Sequence, residues 1–261
     1  ITLVQAHRRA VTSALCSLVY APPLVAMATP AILGMGNPLL DISAVVTQET
    51  FDKYGLQPGN AILAEEKHAP LYAELAAKPD VKYIAGGATQ NSIRVAQWML
   101  QEPGMTAYMG CIGDDDFGKT LQAACKEDGV QAMYMVDKST PTGKCAVTIL
   151  DKERSLTTEL SAANNYKASH LKEPEQMKVL EGAKIVYSAG FFITVSPESM
   201  DIASEKTVEK GTVYCLNLSA PFIVQVPPFR AQLEKLLPAV DYLFGNEDEA
   251  RAYAEAVGWE S

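Results

Sequence analysis

From Ala31 to Phe244, short apolar runs of strand character alternate with stretches of helical character. The runs are Ala31 to Met35, Val81 to Ala85, Ala107 to Ile112, Ile185 to Ala189, Val213 to Leu218 and Tyr242 to Phe244. A continuous apolar run suits a strand buried on both faces, and a helix between two such strands returns the chain for parallel pairing. The alternation predicts an α/β fold with a helix-covered sheet. Helix signals agree with it. Ser196-Pro197-Glu198 sets a cap, a first-turn proline and an early acid in order. Asn246 precedes Glu247, Asp248 and Glu249, and Val257-Gly258 supplies a stop.

Two regions break the alternation. Residues 42–63 and 133–160 read as strands without an intervening helix, the second with a turn at Asp151-Lys152-Glu153-Arg154. They predict a small β-sheet lid, from about 42–64 and 133–160, over the strand ends of the main sheet. With no internal repeat or low-complexity linker, residues 27–261 read as one domain carrying that lid.

Composition excludes several classes. Lys and Arg number 22 against 31 Asp and Glu, a net charge of -9 with both signs interspersed, which argues against a nucleic-acid partner held through phosphates. No run approaches the roughly 20 apolar residues of a membrane-spanning helix, so no membrane partner is expected. The five cysteines, Cys16, Cys111, Cys125, Cys145 and Cys215, are isolated and show no metal-ligand spacing, which suits a reducing compartment. Up to Leu40 there is no acid, and His7-Arg8-Arg9 leads a run of apolar and hydroxyl residues. Residues 1–26 therefore read either as an organelle transit peptide or as an unstructured extension ahead of Met27. The expected location is the cytoplasm, with an organelle as the alternative if that segment is a transit peptide.

Ligands in open α/β sheets sit at the carboxyl ends of strands, so residues directly after the runs matter most. After Met35 comes Gly36-Asn37-Pro38-Leu39-Leu40-Asp41, which places an amide and a carboxylate at a strand exit. A carboxylate there can accept hydrogen bonds from vicinal hydroxyls. A plain turn with an exposed cap is the other reading. After Ala85 comes Gly86-Gly87-Ala88-Thr89-Gln90-Asn91, opening a helix with Ile93, Ala96, Met99 and Leu100 at helical spacing. Two glycines permit close backbone approach to a ligand, and the helix start offers free N–H groups. The GxGxxG dinucleotide fingerprint does not occur.

Gly34-Met35-Gly36-Asn37-Pro38-Leu39-Leu40-Asp41-Ile42-Ser43, Ala85-Gly86-Gly87-Ala88-Thr89-Gln90-Asn91-Ser92 and Gly110-Cys111-Ile112-Gly113 resemble the adenosine kinases of the ribokinase-like sugar and nucleoside kinase family. Pro141-Thr142-Gly143, the block from Ala189 to Ser199, Asn217 to Phe222, and the NxxE motif in Phe244 to Ala250 resemble it in the same order. The likeness runs from about Ala31 to Ser261. It implies a ribokinase-like three-layer α/β/α sandwich with a small β-sheet lid. It also implies ATP-dependent phosphorylation of the adenosine 5′-hydroxyl to give AMP, with Mg2+ as cofactor, adenosine and ATP as partners, and a monomer.

By the same resemblance Asp41 takes the ribose hydroxyls, with Asn37, Gly86, Gly87 and Asn91 around the sugar. Phe191 stacks on the adenine, a contact worth about 1–3 kcal/mol per base. Leu63, Cys145, Leu156 and Leu160 form apolar walls. By residues alone, Phe191-Phe192 would be read first as two core aromatics at a strand end, and only one of the two need be functional. Arg154 resembles the lid arginine that meets phosphate charge. Asn246 and Glu249 match the pair that organises Mg2+, through water in part, and ATP; a helix cap is their other reading.

The family's catalytic base ends a DTNGAGD-like motif, and these 261 residues contain none. The resemblance therefore implies a longer kinase of which this is the N-terminal and central part, the C-terminal part of the fold lying beyond it. The alternative is a catalytically inactive relative serving as a binding or structural subunit of a larger assembly; a sugar kinase is the more distant reading. Some residues depart from the family pattern: Lys144 before Cys145, Thr158-Glu159 before Leu160, and the acidic Asp115-Asp116. Lys144 and Glu159 would either pair with each other or disturb the base pocket.

Overall fold

A computed structural model describes residues 29–259. The extension expected over residues 1–26 lies outside the described residues. The strands are β1 (Ile32–Met35), β2 (Leu39–Val45), β3 (Ala61–Leu63), β4 (Lys82–Gly86), β5 (Thr106–Gly113), β6 (Gln131–Asp137), β7 (Lys144–Leu150), β8 (Glu153–Glu159), β9 (Ile185–Ala189), β10 (Val213–Asn217) and β11 (Tyr242–Phe244). The helices are α1 (Gln48–Tyr54), α2 (Ala69–Ala76), α3 (Ala88–Leu100), α4 (Asp116–Glu127), α5 (Ala168–Leu171), α6 (Pro174–Gly182), α7 (Pro197–Lys210), α8 (Pro221–Gln225), α9 (Pro227–Leu236) and α10 (Glu247–Val257).

Six strands form a sheet in the order β11-β10-β9-β1-β5-β6, every pair parallel. Side chains alternate between the two faces of a strand, and the core divides accordingly. Leu33, Met35, Ala107, Met109 and Cys111 pack with Leu171, Leu180, Met200, Ala203 and Leu233 of α5, α6, α7 and α9. Tyr108 turns the other way, onto Ile93 of α3 and Cys125 of α4. The sheet is thus the middle of three layers. Each fully buried leucine, such as Leu33, contributes about 1.5–3 kcal/mol relative to exposure.

The remaining five strands form a mixed sheet in the order β3-β8-β7-β2-β4. Its outer face buries Ile42, Ala44 and Ala146 under Phe51, Tyr54, Leu71, Tyr72 and Leu75 of α1 and α2. Its inner face carries Asp41, Cys145 and Thr158 in one cross-strand row. That row borders the cavity described below.

Three expectations about elements are corrected. The run Val81 to Ala85 does not join the parallel sheet: β4 pairs antiparallel with β2 at the edge of the second sheet, leaving Lys82, Tyr83 and Ile84 exposed. Residues 133–137 do not belong with the second sheet, because β6 pairs in parallel with β5 after the α4 crossover. The region 42–63 is not free of helix. Phe51 and Tyr54 bury one face of α1, between Thr47 at its N-terminus and Gly55 in left-handed conformation, φ 65°, at its end. Both predicted helix starts are present. Ser196 holds the N-cap position of α7 without a side-chain capping hydrogen bond, its hydroxyl pairing with that of Ser199, and Asn246 accepts from the Glu249 N–H at the start of α10, which Gly258 ends at φ 73°.

Candidate active site

The carboxyl ends of β1 and β9, the first turn of α3 and the inner face of the second sheet enclose a cavity of about 300 Å³. β1 ends at Met35, and the chain turns through Gly36-Asn37-Pro38 into β2, which brings Asn37 and Asp41 to one end. Asn37 is buried. Its Nδ2 donates to the Phe191 carbonyl at 3.5 Å, while its Oδ1 has no partner. A buried acceptor without a donor is costly, so Oδ1 is ready for an O–H or N–H from a ligand.

Asp41 is mostly buried. Burial pushes its carboxyl up to about 6, and the nearby Arg154 guanidinium works in the opposite direction. Gly86 passes close against this carboxylate, and Gly87 against the Asn37 backbone. A Cβ at Gly86 would overlap the Asp41 carboxyl, and one at Gly87 would overlap the Asn37 carbonyl oxygen. Gly87 also holds φ +99°, which L side chains avoid. Gly87 and Asn91 line the cavity; Gly86 sits just behind, against Asp41.

The other end of the cavity is aromatic and apolar. β9 runs into a short 3-10 turn, Gly190–Thr194, that delivers Phe191 to the cavity beside Phe222, ring centroids 6.0 Å apart. Phe192 turns into the core, fully buried and 5.4 Å from the Tyr166 ring. Leu63, Cys145, Leu156 and Leu160 all line the walls. Burial raises the Cys145 thiol to about 12, so it is neutral and serves as apolar wall, accepting a 3.4 Å hydrogen bond from the Thr158 hydroxyl.

Arg154 borders this cavity and a more open one of about 550 Å³, which shares Asp41 and Asn91 and adds Lys82 and Arg94. Asn246 and Glu249 are not among the residues of either cavity. They form a reciprocal cap of α10: Glu249 N–H donates to Asn246 Oδ1 at 2.8 Å, and Asn246 N–H to Glu249 Oε2 at 3.1 Å. No group of three potential metal ligands occurs among the described residues.

Lys144 and Glu159 pair with each other at 3.3 Å. The Lys144 ammonium stands 4.7 Å from the Tyr72 ring centre, on the α2 side of the sheet. Their sequence neighbours Cys145 and Thr158 face the cavity, so the period of two turns the charged pair away from it. Sequence reasoning gave no site role to Ile62, Thr158 or Phe222, all of which line the cavity. Thr158 was findable from its alternation with Leu156 and Leu160, and Phe222 from its place after β10.

Residues 49–260 match the pfkB family of carbohydrate kinases. The chain belongs to that family. Within it, the chain is 54% identical over 230 residues to adenosine kinase 1 of Arabidopsis thaliana, covering 88% of this chain and 66% of that protein. It is 43% identical to the adenosine kinase of Dictyostelium discoideum, covering 89% and 68%. Among solved structures it resembles Anopheles gambiae adenosine kinase in complex with P1,P4-di(adenosine-5) tetraphosphate, at TM-score 0.84, 45% identity, and 87% and 68% coverage. It also resembles Schistosoma mansoni adenosine kinase in complex with adenosine in an occluded loop conformation, at TM-score 0.84, 36% identity, and 87% and 66% coverage. The chain thus spans about two thirds of the length of these family members. The likeness shows the ribokinase-like α/β/α fold for the region described.

Proposed function

We propose that this chain is the nucleoside-binding part of an adenosine kinase, which transfers the γ-phosphoryl group of ATP to the adenosine 5′-hydroxyl and yields AMP. The observation that carries the reading is the polarity of one cavity: Asp41, Asn37 and Asn91 at one end, Phe191 and Phe222 among leucines at the other. A nucleoside has that same division. Its ribose offers hydroxyl donors to a carboxylate, and its planar base offers a π-face to an aromatic ring. A free sugar has no use for the aromatic end, which disfavours a sugar kinase. The names of the similar proteins support the same substrate.

In this reading Asp41 accepts from the ribose hydroxyls and Asn37 Oδ1 takes a further donor. The base lies on Phe191 between the leucine walls. Arg154, at the junction with the open cavity, meets the phosphate charge approaching the 5′-hydroxyl. Catalysis by such an enzyme rests on positioning and charge stabilisation. Mg2+ would neutralise charge on the nucleotide phosphates. Glu249 suits a shared role there, because the cap engages its Oε2 and, among the described residues, no hydrogen bond to its Oε1 is found. With a single carboxylate, Glu249 and Asn246 would hold the ion through water and together with the phosphates. The resemblance further supports a cytoplasmic monomer.

Thermal melting of this chain tests the reading. Adenosine is expected to raise the melting temperature, with ribose and fructose leaving it unchanged. A shift with fructose and none with adenosine would sink the nucleoside assignment.

A further inference from the structure

Behind the Gly86-Gly87 turn lies a buried polar chain that touches no part of the cavity. Gln90, in the first turn of α3, is 0% exposed. Its Nε2 donates to the Gly86 carbonyl at 3.0 Å, and its Oε1 accepts from the Tyr134 hydroxyl on β6. The Tyr134 oxygen is 3.3 Å from Cys125 Sγ of α4, and because its proton is committed to Gln90, the thiol is the donor there. Held at both ends, the amide has one orientation.

Burying an amide costs free energy that an apolar side chain of the same size would not incur. The surroundings would accept such a side chain: Ala85, Leu121 and Ala124 pack beside the Tyr134 ring in one apolar cluster. What the amide adds is a grip on the Gly86 carbonyl. Two successive glycines have no side chains to restrain them, and the intrinsic freedom of this pair is high. Yet the pair sits where position matters most, with Gly86 against the Asp41 carboxyl and Gly87 on the cavity wall.

We propose that Gln90, oriented by Tyr134, is a positioning residue: it holds the Gly86 carbonyl so that the Gly86-Gly87 backbone and Asp41 converge on the vicinal hydroxyls of a ribose. This inference rests on the nucleoside reading above and names what restrains that end of the site.

The test compares adenosine with 2′,3′-dideoxyadenosine, which lacks both hydroxyls, by calorimetry on this chain and on the variants Gln90→Met and Tyr134→Phe. Wild type is expected to prefer adenosine. In each variant that retains a cooperative melt, adenosine affinity should fall by about tenfold and dideoxyadenosine affinity by less than about twofold, as expected for loss of one oriented hydrogen-bonding group. The preference therefore collapses. A general loosening of the fold would weaken both ligands alike, and that result overturns the inference, as does a preference equal to that of wild type. If Gln90→Met does not fold, Tyr134→Phe decides, since it removes one oxygen and keeps the ring against Tyr108, 5.8 Å away. Wild-type protein that binds neither nucleoside overturns the nucleoside reading and this inference with it; wild type that discriminates beside variants that discriminate equally overturns the inference alone.

Discussion

Lys144 and Glu159 oppose each other across β7 and β8, 3.3 Å apart, on the face of the second sheet turned away from the cavity. Two charges that stand beside pocket residues in the sequence are thereby removed from the pocket. Glu159 is further held by the Ser161 hydroxyl, which donates to its Oε1 at 2.9 Å.

Replacing the pair, as Lys144→Thr with Glu159→Ala, should leave adenosine affinity within about twofold of wild type, because partly exposed ion pairs contribute only about 0–1 kcal/mol and here act on the outer face. Calorimetric titration of the double variant checks this. A loss of tenfold or more would mean that the pair shapes the pocket after all.

Asp41 predicts a pH dependence. Its carboxyl titrates at about 6 in the folded chain against an ordinary value of 3.8, with burial as the main cause. The folded state therefore holds the proton more tightly than the unfolded state. Ionisation opposes folding at neutral pH, and that penalty fades as pH falls from 6 towards 3.8. Binding runs the other way if the ionised form is the acceptor: adenosine affinity should drop about tenfold between pH 7.5 and pH 5. Asp41→Asn should bind adenosine weakly at every pH and, without ligand, melt higher than wild type at pH 7.5. A titration series with both proteins reads both effects.

The Arg154 guanidinium lowers the Asp41 carboxyl against the effect of burial. In Arg154→Ala the pH midpoint of adenosine binding should move upward, while AMP loses more affinity than adenosine at pH 8 because the cation facing the phosphate is gone. Equal losses for AMP and adenosine would remove Arg154 from the phosphate role.

Phe191 and Phe192 should separate cleanly. Phe191→Ala is expected to cost about 1–3 kcal/mol of adenosine binding, roughly 5- to 150-fold, with little change in stability. Phe192, fully buried against Tyr166, should instead cost about 3–5 kcal/mol of folding stability when cut to alanine. Denaturant unfolding together with titration distinguishes the two. Reversed roles would place the base on the wrong ring.

Local patterns in the chain determined much of this protein. The alternation of apolar runs specifies a parallel sheet between helices, because strands buried on both faces need continuous apolar side chains. Ser196 and Asn246 mark helix starts, and Asn37, Asp41, Gly87 and Asn91 could be picked out because they follow closely on the apolar runs ending at Met35 and Ala85, near the strand ends where such sheets bind ligands, whereas Phe191 follows only from the family resemblance. Tertiary structure decided what those patterns do not encode. Whether residues 82–86 join β2 or the parallel sheet depends on a pairing partner 40 or so residues away, and an apolar run looks the same in either place. The outward turn of Lys144 and Glu159 required the registers of β7 on β2 and of β8 on β7, since a slip of β8 by one residue would turn Glu159 towards the cavity. The raised Asp41 carboxyl and the hold of Gln90 on Gly86 arise from burial and contact between separate elements, so they exist only once the chain has folded.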